Sequence, residues 1–138
     1  MLKLKTAALT LATLTLCATS ASAADTPDQV VARHVAAFQR HDWTAVMRDY
    51  ADDVVALLPD RAVEGKPALL AVFQAMDKAP GKMVFEAKQV KAVGDMGSTE
   101  WVANPGKPGA VKGRDVFIVR GGKIVFQGSV AVGPVGGK

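Results

Sequence analysis

The chain has 138 residues, 22% of them charged, 49% hydrophobic, and a formal net charge of +4. Lys3 and Lys5 carry half of that excess, and no run of five like charges follows them. This excludes the basic footprint of a nucleic-acid binder or of a protein held to an anionic membrane.

The first 23 residues read as an address. Lys3 and Lys5 give a positive start, Thr6 to Ala18 is apolar, and Ala21-Ser22-Ala23 is a small-residue cleavage site. That order is a secretory signal peptide, and its apolar part is shorter than the roughly 20 residues that span a bilayer. The expectation is a domain over residues 24–138, exported and periplasmic or secreted, with no membrane attachment after cleavage. The single cysteine, Cys17, lies in the leader, and Leu16 before it is too bulky for a lipid-anchor site. The remainder has no thiol for a disulfide, a metal or a nucleophile. Its length suits one domain with a real core.

Thr26-Pro27-Asp28-Gln29 starts a first helix, with Thr26 as cap and Gln29 completing a capping box. Val30, Val31, His34, Val35 and Phe38 share one face of it. Asp42 caps a shorter helix carrying Trp43, Val46, Met47 and Tyr50. Asp52-Asp53 end that pattern, one as a cap and one turning into a strand from Val54 to Leu58 stopped by Pro59. A third helix runs from Pro67 to Lys78 on a stripe of Leu69, Leu70, Phe73 and Met76, ended by Pro80-Gly81.

From Met83 the period becomes two. The parity slips between Ala87 and Val90, which predicts a bulge near Lys88-Gln89. Gly94 to Gly97 is a turn and Ser98 to Asn104 a strand. The segment 104–112 is a hairpin connection in preference to a lid. Val111–Arg120 and Lys123–Val132 flank Gly121-Gly122, the signature of a two-residue hairpin. That turn pairs Val119 with Ile124, Phe117 with Phe126 and Val116 with Gln127. Val116, Ile118, Val125, Gln127 and Ser129 then share one face, and Asp115, Phe117, Val119, Ile124 and Phe126 the other. Helices first and strands last imply an α+β domain, its bent sheet enclosing a cone where a small ligand would sit.

The words His41-Asp42-Trp43, Tyr50-Ala51-Asp52-Asp53-Val54-Val55, Val63-Glu64-Gly65, and Gly113-Arg114-Asp115-Val116-Phe117 leading to Gly122-Lys123-Ile124 cover nearly all of residues 24–138. In that order they resemble the nuclear transport factor 2-like superfamily, and within it the SnoaL-like and ketosteroid-isomerase-like domains. The resemblance implies an NTF2-like (cystatin-like) cone, about three N-terminal helices on a strongly bent antiparallel or mixed sheet, often dimeric. It also implies where chemistry would lie. Steroid isomerases carry a carboxylate base just before the proline ending the first strand, where this chain has Leu58. Their carbonyl-polarising phenol lies on the first helix, where this chain has His34. SnoaL-like cyclases carry a His and an Asp two apart on the last strand, where this chain has Gln127 and Ser129. The usual acid–base groups are replaced.

His34 is the sharpest candidate. On an apolar stripe it either moves a proton near neutral pH or is a core histidine bonded to backbone or to Asp53. His41 precedes a cap and is expected exposed. Asp115 beside Arg114 reads as an edge salt bridge before a pocket group, and Trp101 faces inward in preference to Glu100. Candidate pocket residues are His34, Phe38, Trp43, Tyr50, Leu58, Trp101, Val116, Ile118 and Gln127. Core packing explains the aromatics among them equally well. Two histidines seven apart make no metal motif, and no Gly-rich phosphate loop calls for a nucleotide cofactor. The expected function is binding of a small, largely apolar molecule by an exported homodimer. A proton-transfer enzyme (isomerase, cyclase or dehydratase) using His34 is the alternative, and a structural dimerisation module with a filled cone is the third.

Overall fold

A computed structural model describes residues 24–135, so the expected leader and Cys17 lie outside the described residues. Three helices, α1 (Pro27–Gln39), α2 (Trp43–Asp49) and α3 (Lys66–Lys78), pack on one six-stranded sheet. The strands are β1 (Tyr50–Leu58), β2 (Arg61–Glu64), β3 (Phe85–Val93), β4 (Met96–Ala103), β5 (Val111–Arg120) and β6 (Lys123–Pro134). Their order across the sheet is β2-β1-β6-β5-β4-β3. Only the β1–β6 pair is parallel, because the chain crosses by α3 and three further strands before returning to β1.

The local signals act as their chemistry dictates. Gln29 Oε1 accepts the Thr26 backbone N–H at 3.0 Å, and Asp42 Oδ1 accepts that of Ala45 at 3.0 Å. The inner face of α1 buries Val30, Val31, His34 and Val35 against the sheet. Gly97 of β4 permits this approach, since a Cβ there would stand 2.8 Å from Val31 Cγ2. The bulge in β3 falls between Ala87 and Val90, where the β4 register shifts. Thr99 Oγ1 donates to the Lys88 carbonyl freed there, at 3.2 Å.

Two local expectations are corrected, and one strand is added that the sequence did not signal. Tyr50 opens β1 instead of closing α2, and Asp52 and Asp53 lie inside β1, exposed, where its pairing with β6 is interrupted. Arg61–Glu64 forms an edge strand on β1. The β5–β6 hairpin pairs Val119 with Ile124, but then Ile118 with Phe126 and Phe117 with Gln127, leaving Val125 as a one-residue bulge. That single extra residue reverses the parity of the rest of β6. Gln127 and Ser129 therefore share a face with Phe117 and Asp115, while Val116 and Ile118 share the opposite face with Phe126.

Candidate functional site

Between the inner face of the sheet and the helices α1 and α3 lies a cavity of about 780 Å³. That size falls in the range of small-molecule sites. Its walls are mainly aromatic and aliphatic: Phe38 from α1, Phe73 and Met76 from α3, Leu58 from β1, Phe85 from β3, Trp101 from β4 and Phe117 from β5. Edge-to-face pairs hold these rings in place, with Phe38–Phe73 and Phe38–Phe85 centroids both 5.2 Å apart and Phe85–Trp101 5.8 Å apart. Segment 79–83, the β1–β2 turn and the loop before β5 complete the lining.

Set into this apolar wall is a line of polar groups. Asp115 is half-buried, with its carboxyl facing the cavity. Trp101 Nε1 donates to its Oδ1 at 2.8 Å, and Gln127 Nε2 donates to its Oδ2 at 3.2 Å. The Tyr50 hydroxyl donates to Gln127 Oε1, and His34 Nε2 lies 3.3 Å from the same hydroxyl. Burial pushes the Asp115 carboxyl above the usual carboxylate range, against the lowering effect of hydrogen bonds from Ser129, Trp101 and Gln127. Burial, with the Asp115 and Asp49 charges behind it, raises Tyr50 well above a normal phenol, so it remains a neutral donor.

His34 is brought to the cavity wall in the second of the two states the sequence offered, a core histidine. It is 2% exposed, and burial takes it from its ordinary 6.5 to about 3, opposed by the nearby Val46 backbone. It is thus neutral at physiological pH, and its hydrogen bond goes to Tyr50 rather than to Asp53. Among the described residues His34 Nδ1 closes no hydrogen bond; Asp49 Oδ2 stands 4.0 Å away and Asp49 Oδ1 is held by Arg33 Nε at 2.6 Å.

Of the other residues singled out in the sequence, Phe38, Leu58, Trp101 and Gln127 join His34 in the lining. Tyr50 is sealed beneath it at 0% exposure and reaches it only through Gln127. Trp43 lies behind the wall, stacked on Phe73 at 5.6 Å with its Nε1 donating to Asp77 Oδ2 at 2.6 Å. Val116 and Ile118 point to the outer face of the sheet because they alternate along β5 with Asp115 and Phe117, which line the cavity, and this corrects their expected position. The expected Arg114–Asp115 pair is also replaced. Arg114 Nη2 meets Glu100 Oε1 across the outer face at 2.5 Å, and Asp115, one residue on, points the other way. His41, expected exposed, is mostly buried, contacting Asp77 through Nδ1 and the Met83 carbonyl through Nε2 at 3.1 Å.

The site residue that sequence reasoning underrated is Asp115, and the signal was Gly113. In the middle of a strand a glycine marks close approach, and here the Trp101 ring lies over it: a Cβ would be 2.1 Å from Trp101 Cζ2. In that arrangement the indole N–H reaches Asp115. Among the described residues no group of three or more His, Cys, Asp or Glu side chains could hold a metal, and no described helix is long and apolar enough to cross a membrane.

The model of the SnoaL-like domain matches residues 31–127, which spans both the α1 and the β6 ends of this cavity. The chain belongs to the SnoaL-like domain family. Its architecture is the NTF2-like fold expected from the sequence. A candidate ketosteroid isomerase from Kribbella flavida DSM 17836 is similar with a TM-score of 0.70 and 15% identity, over 81% of this chain and 82% of that one. An NTF2-like protein of unknown function from Burkholderia xenovorans LB400 gives 0.67 and 21%, over 81% and 87%. IdmH, a candidate polyketide cyclase from Streptomyces antibioticus, gives 0.66 and 20%, over 78% and 93%. No curated protein matches the sequence. At these identities the likeness is one of fold, and any chemistry must be argued from the side chains.

Proposed function

We propose that this SnoaL-like domain is exported and binds a small, largely apolar molecule in its cone, with the polar end of that molecule on Asp115. The observation that carries the reading is the pairing of a cavity of about 780 Å³ walled by aromatic rings with one carboxyl held on its inner face by two directed donors. The rings supply affinity through burial, about 25 cal/mol for each Å² removed from water. The carboxyl supplies orientation, and its raised proton affinity fits it to accept from a ligand hydroxyl.

Proton transfer on the bound molecule is a second reading, favoured by the same carboxyl. A group shifted up from the carboxylate range and open to an apolar cavity is suited to acid–base work. In that reading the proton moves on Asp115, because His34 stays neutral and sealed. The outer sheet face, where Val55, Leu57, Phe126 and Val130 lie together, suits a second copy of the chain.

Native mass spectrometry on protein expressed with its own leader and recovered from the periplasm tests this directly. The expected species is a two-chain assembly beginning at Ala24 and carrying a small-molecule adduct. An unprocessed chain would contradict export, a single-chain mass at micromolar concentration would contradict the dimer, and a bare protein that takes up no added apolar compound would contradict the binding reading.

A further inference from the structure

We propose that Tyr50 is a positioning residue: with His34 behind it, its hydroxyl sets the direction of a hydrogen-bond chain that turns the Gln127 amide nitrogen onto Asp115 and so commits the Asp115 carboxyl to accepting. The inference rests on Asp115 being the polar contact for the bound molecule.

An indole N–H can only donate, so Trp101 fixes one bond to Asp115 whatever its neighbours do. Gln127 is different, because an amide can present either end. What decides its direction is the group on its far side, the Tyr50 hydroxyl, which donates to Oε1 and leaves Nε2 for Asp115. A hydroxyl that donates there has oxygen lone pairs to fill, and His34 Nε2 stands 3.3 Å from it. The consistent assignment is His34 Nε2–H to Tyr50 oxygen, Tyr50 O–H to Gln127 Oε1, and Gln127 N–H to Asp115. His34 Nδ1 is then a bare nitrogen, which agrees with its lack of a hydrogen-bond partner.

The reverse arrangement is costly. An Nδ1–H tautomer would bury a donor without a well-formed bond, since the Val46 backbone beside the ring closes none to Nδ1 and Asp49 Oδ2 is 4.0 Å away. His34 Nε2 would draw the Tyr50 proton to itself, and Gln127 Oε1 would lose its donor. The amide would gain by turning over, setting its oxygen against the Asp115 carboxylate unless that group held a proton. The tautomer of a sealed histidine thus selects whether the cavity offers an acceptor or a donor. No proton travels along the chain, because an amide does not relay one; what passes along it is direction.

The test uses the full chain without ligand, so that its outcome is independent of whether the cavity binds anything. The His34 tautomer is read from imidazole 15N shifts, and Asp115 is titrated by carboxyl 13C NMR. The expected results are an Nε2–H tautomer in the wild type and an upward shift of the Asp115 titration in Tyr50→Phe and in Gln127→Leu. The double variant should titrate as Gln127→Leu alone, since Tyr50 acts through Gln127. An Nδ1–H tautomer, an unmoved titration in Tyr50→Phe, or shifts that add in the double variant would each overturn the proposal. If Tyr50→Phe does not fold, the wild-type tautomer decides alone.

Discussion

At the scale of single residues, the sequence left two parts open for each of His34 and Asp115, and the structure gives His34 the core part and Asp115 the place on the cavity wall. His34 is a polar residue on an apolar helical stripe, and that much is legible in the spacing. Whether such a histidine titrates depends on how completely the sheet covers it, which spacing does not contain. Complete burial holds it neutral, with a pH consequence whose sign is fixed. Its folded value, about 3, lies below its ordinary 6.5, so below pH 6.5 the unfolded chain takes up a proton that the folded chain refuses. Stability is therefore whole above 6.5 and is lost as pH falls toward 3, by about 3 kcal/mol at pH 4.5. Urea unfolding of His34→Gln, which titrates in neither state, should lack this contribution and show a shallower loss between pH 7 and 4.5 than the wild type. Equal slopes in the two proteins would mean that the imidazole is not sealed. Asp115 escaped the sequence reading because Arg114 beside it offered an obvious partner. Neighbours in a strand point to opposite faces, and Arg114 spends its charge on Glu100 outside.

At the scale of elements, the helices were legible and the sheet only partly so. Caps, Pro27, Pro80 and the apolar spacing place α1, α2 and α3 to within a few residues, because helix signals are local. The β3 bulge was legible as well, since the parity of Phe85, Ala87, Val90 and Ala92 breaks there. The β6 bulge at Val125 was not, because Ile124, Val125 and Phe126 are all apolar and leave no parity to break. That silent insertion decides the site: it carries Gln127 and Ser129 to the inner face with Phe117 and Asp115, and parts them from Val116 and Ile118. The edge strand Arg61–Glu64 was hidden for a related reason, being four residues of mainly exposed chain with no hydrophobic alternation. The contact of β4 with β5 gives a test at this scale. Gly113→Ala places a methyl inside the Trp101 ring position, so the indole must swing off Asp115. The expected outcome is a loss of about 1–3 kcal/mol on unfolding and a changed near-ultraviolet dichroism of the tryptophans. Unaltered stability and dichroism would show that the ring does not lie over Gly113.

At the scale of the whole molecule, the order of motifs gave the family and the fold, and the match over residues 31–127 establishes both. The proposed function rests on replacement. The position before Pro59 offers Leu58, the last strand offers Gln127 and Ser129, and of the two carboxyls in the lining Asp60 is exposed and paired with Arg61 in the β1–β2 turn, which leaves Asp115 of β5 on the inner wall. The central claim is that this carboxyl gives an apolar cone its polar anchor. It is tested most directly by comparing 2-naphthol with 2-methoxynaphthalene, which share an aromatic body and differ in the ability to donate a hydrogen bond. Binding would be followed by titration calorimetry on the wild type and on Asp115→Asn. The account predicts that the wild type prefers the naphthol by roughly tenfold or more, as a hydrogen bond to a charged group of about 1.5–3 kcal/mol requires, and that Asp115→Asn loses most of that preference while still binding the ether. Equal affinities in the wild type, or a preference that survives in Asp115→Asn, would contradict it.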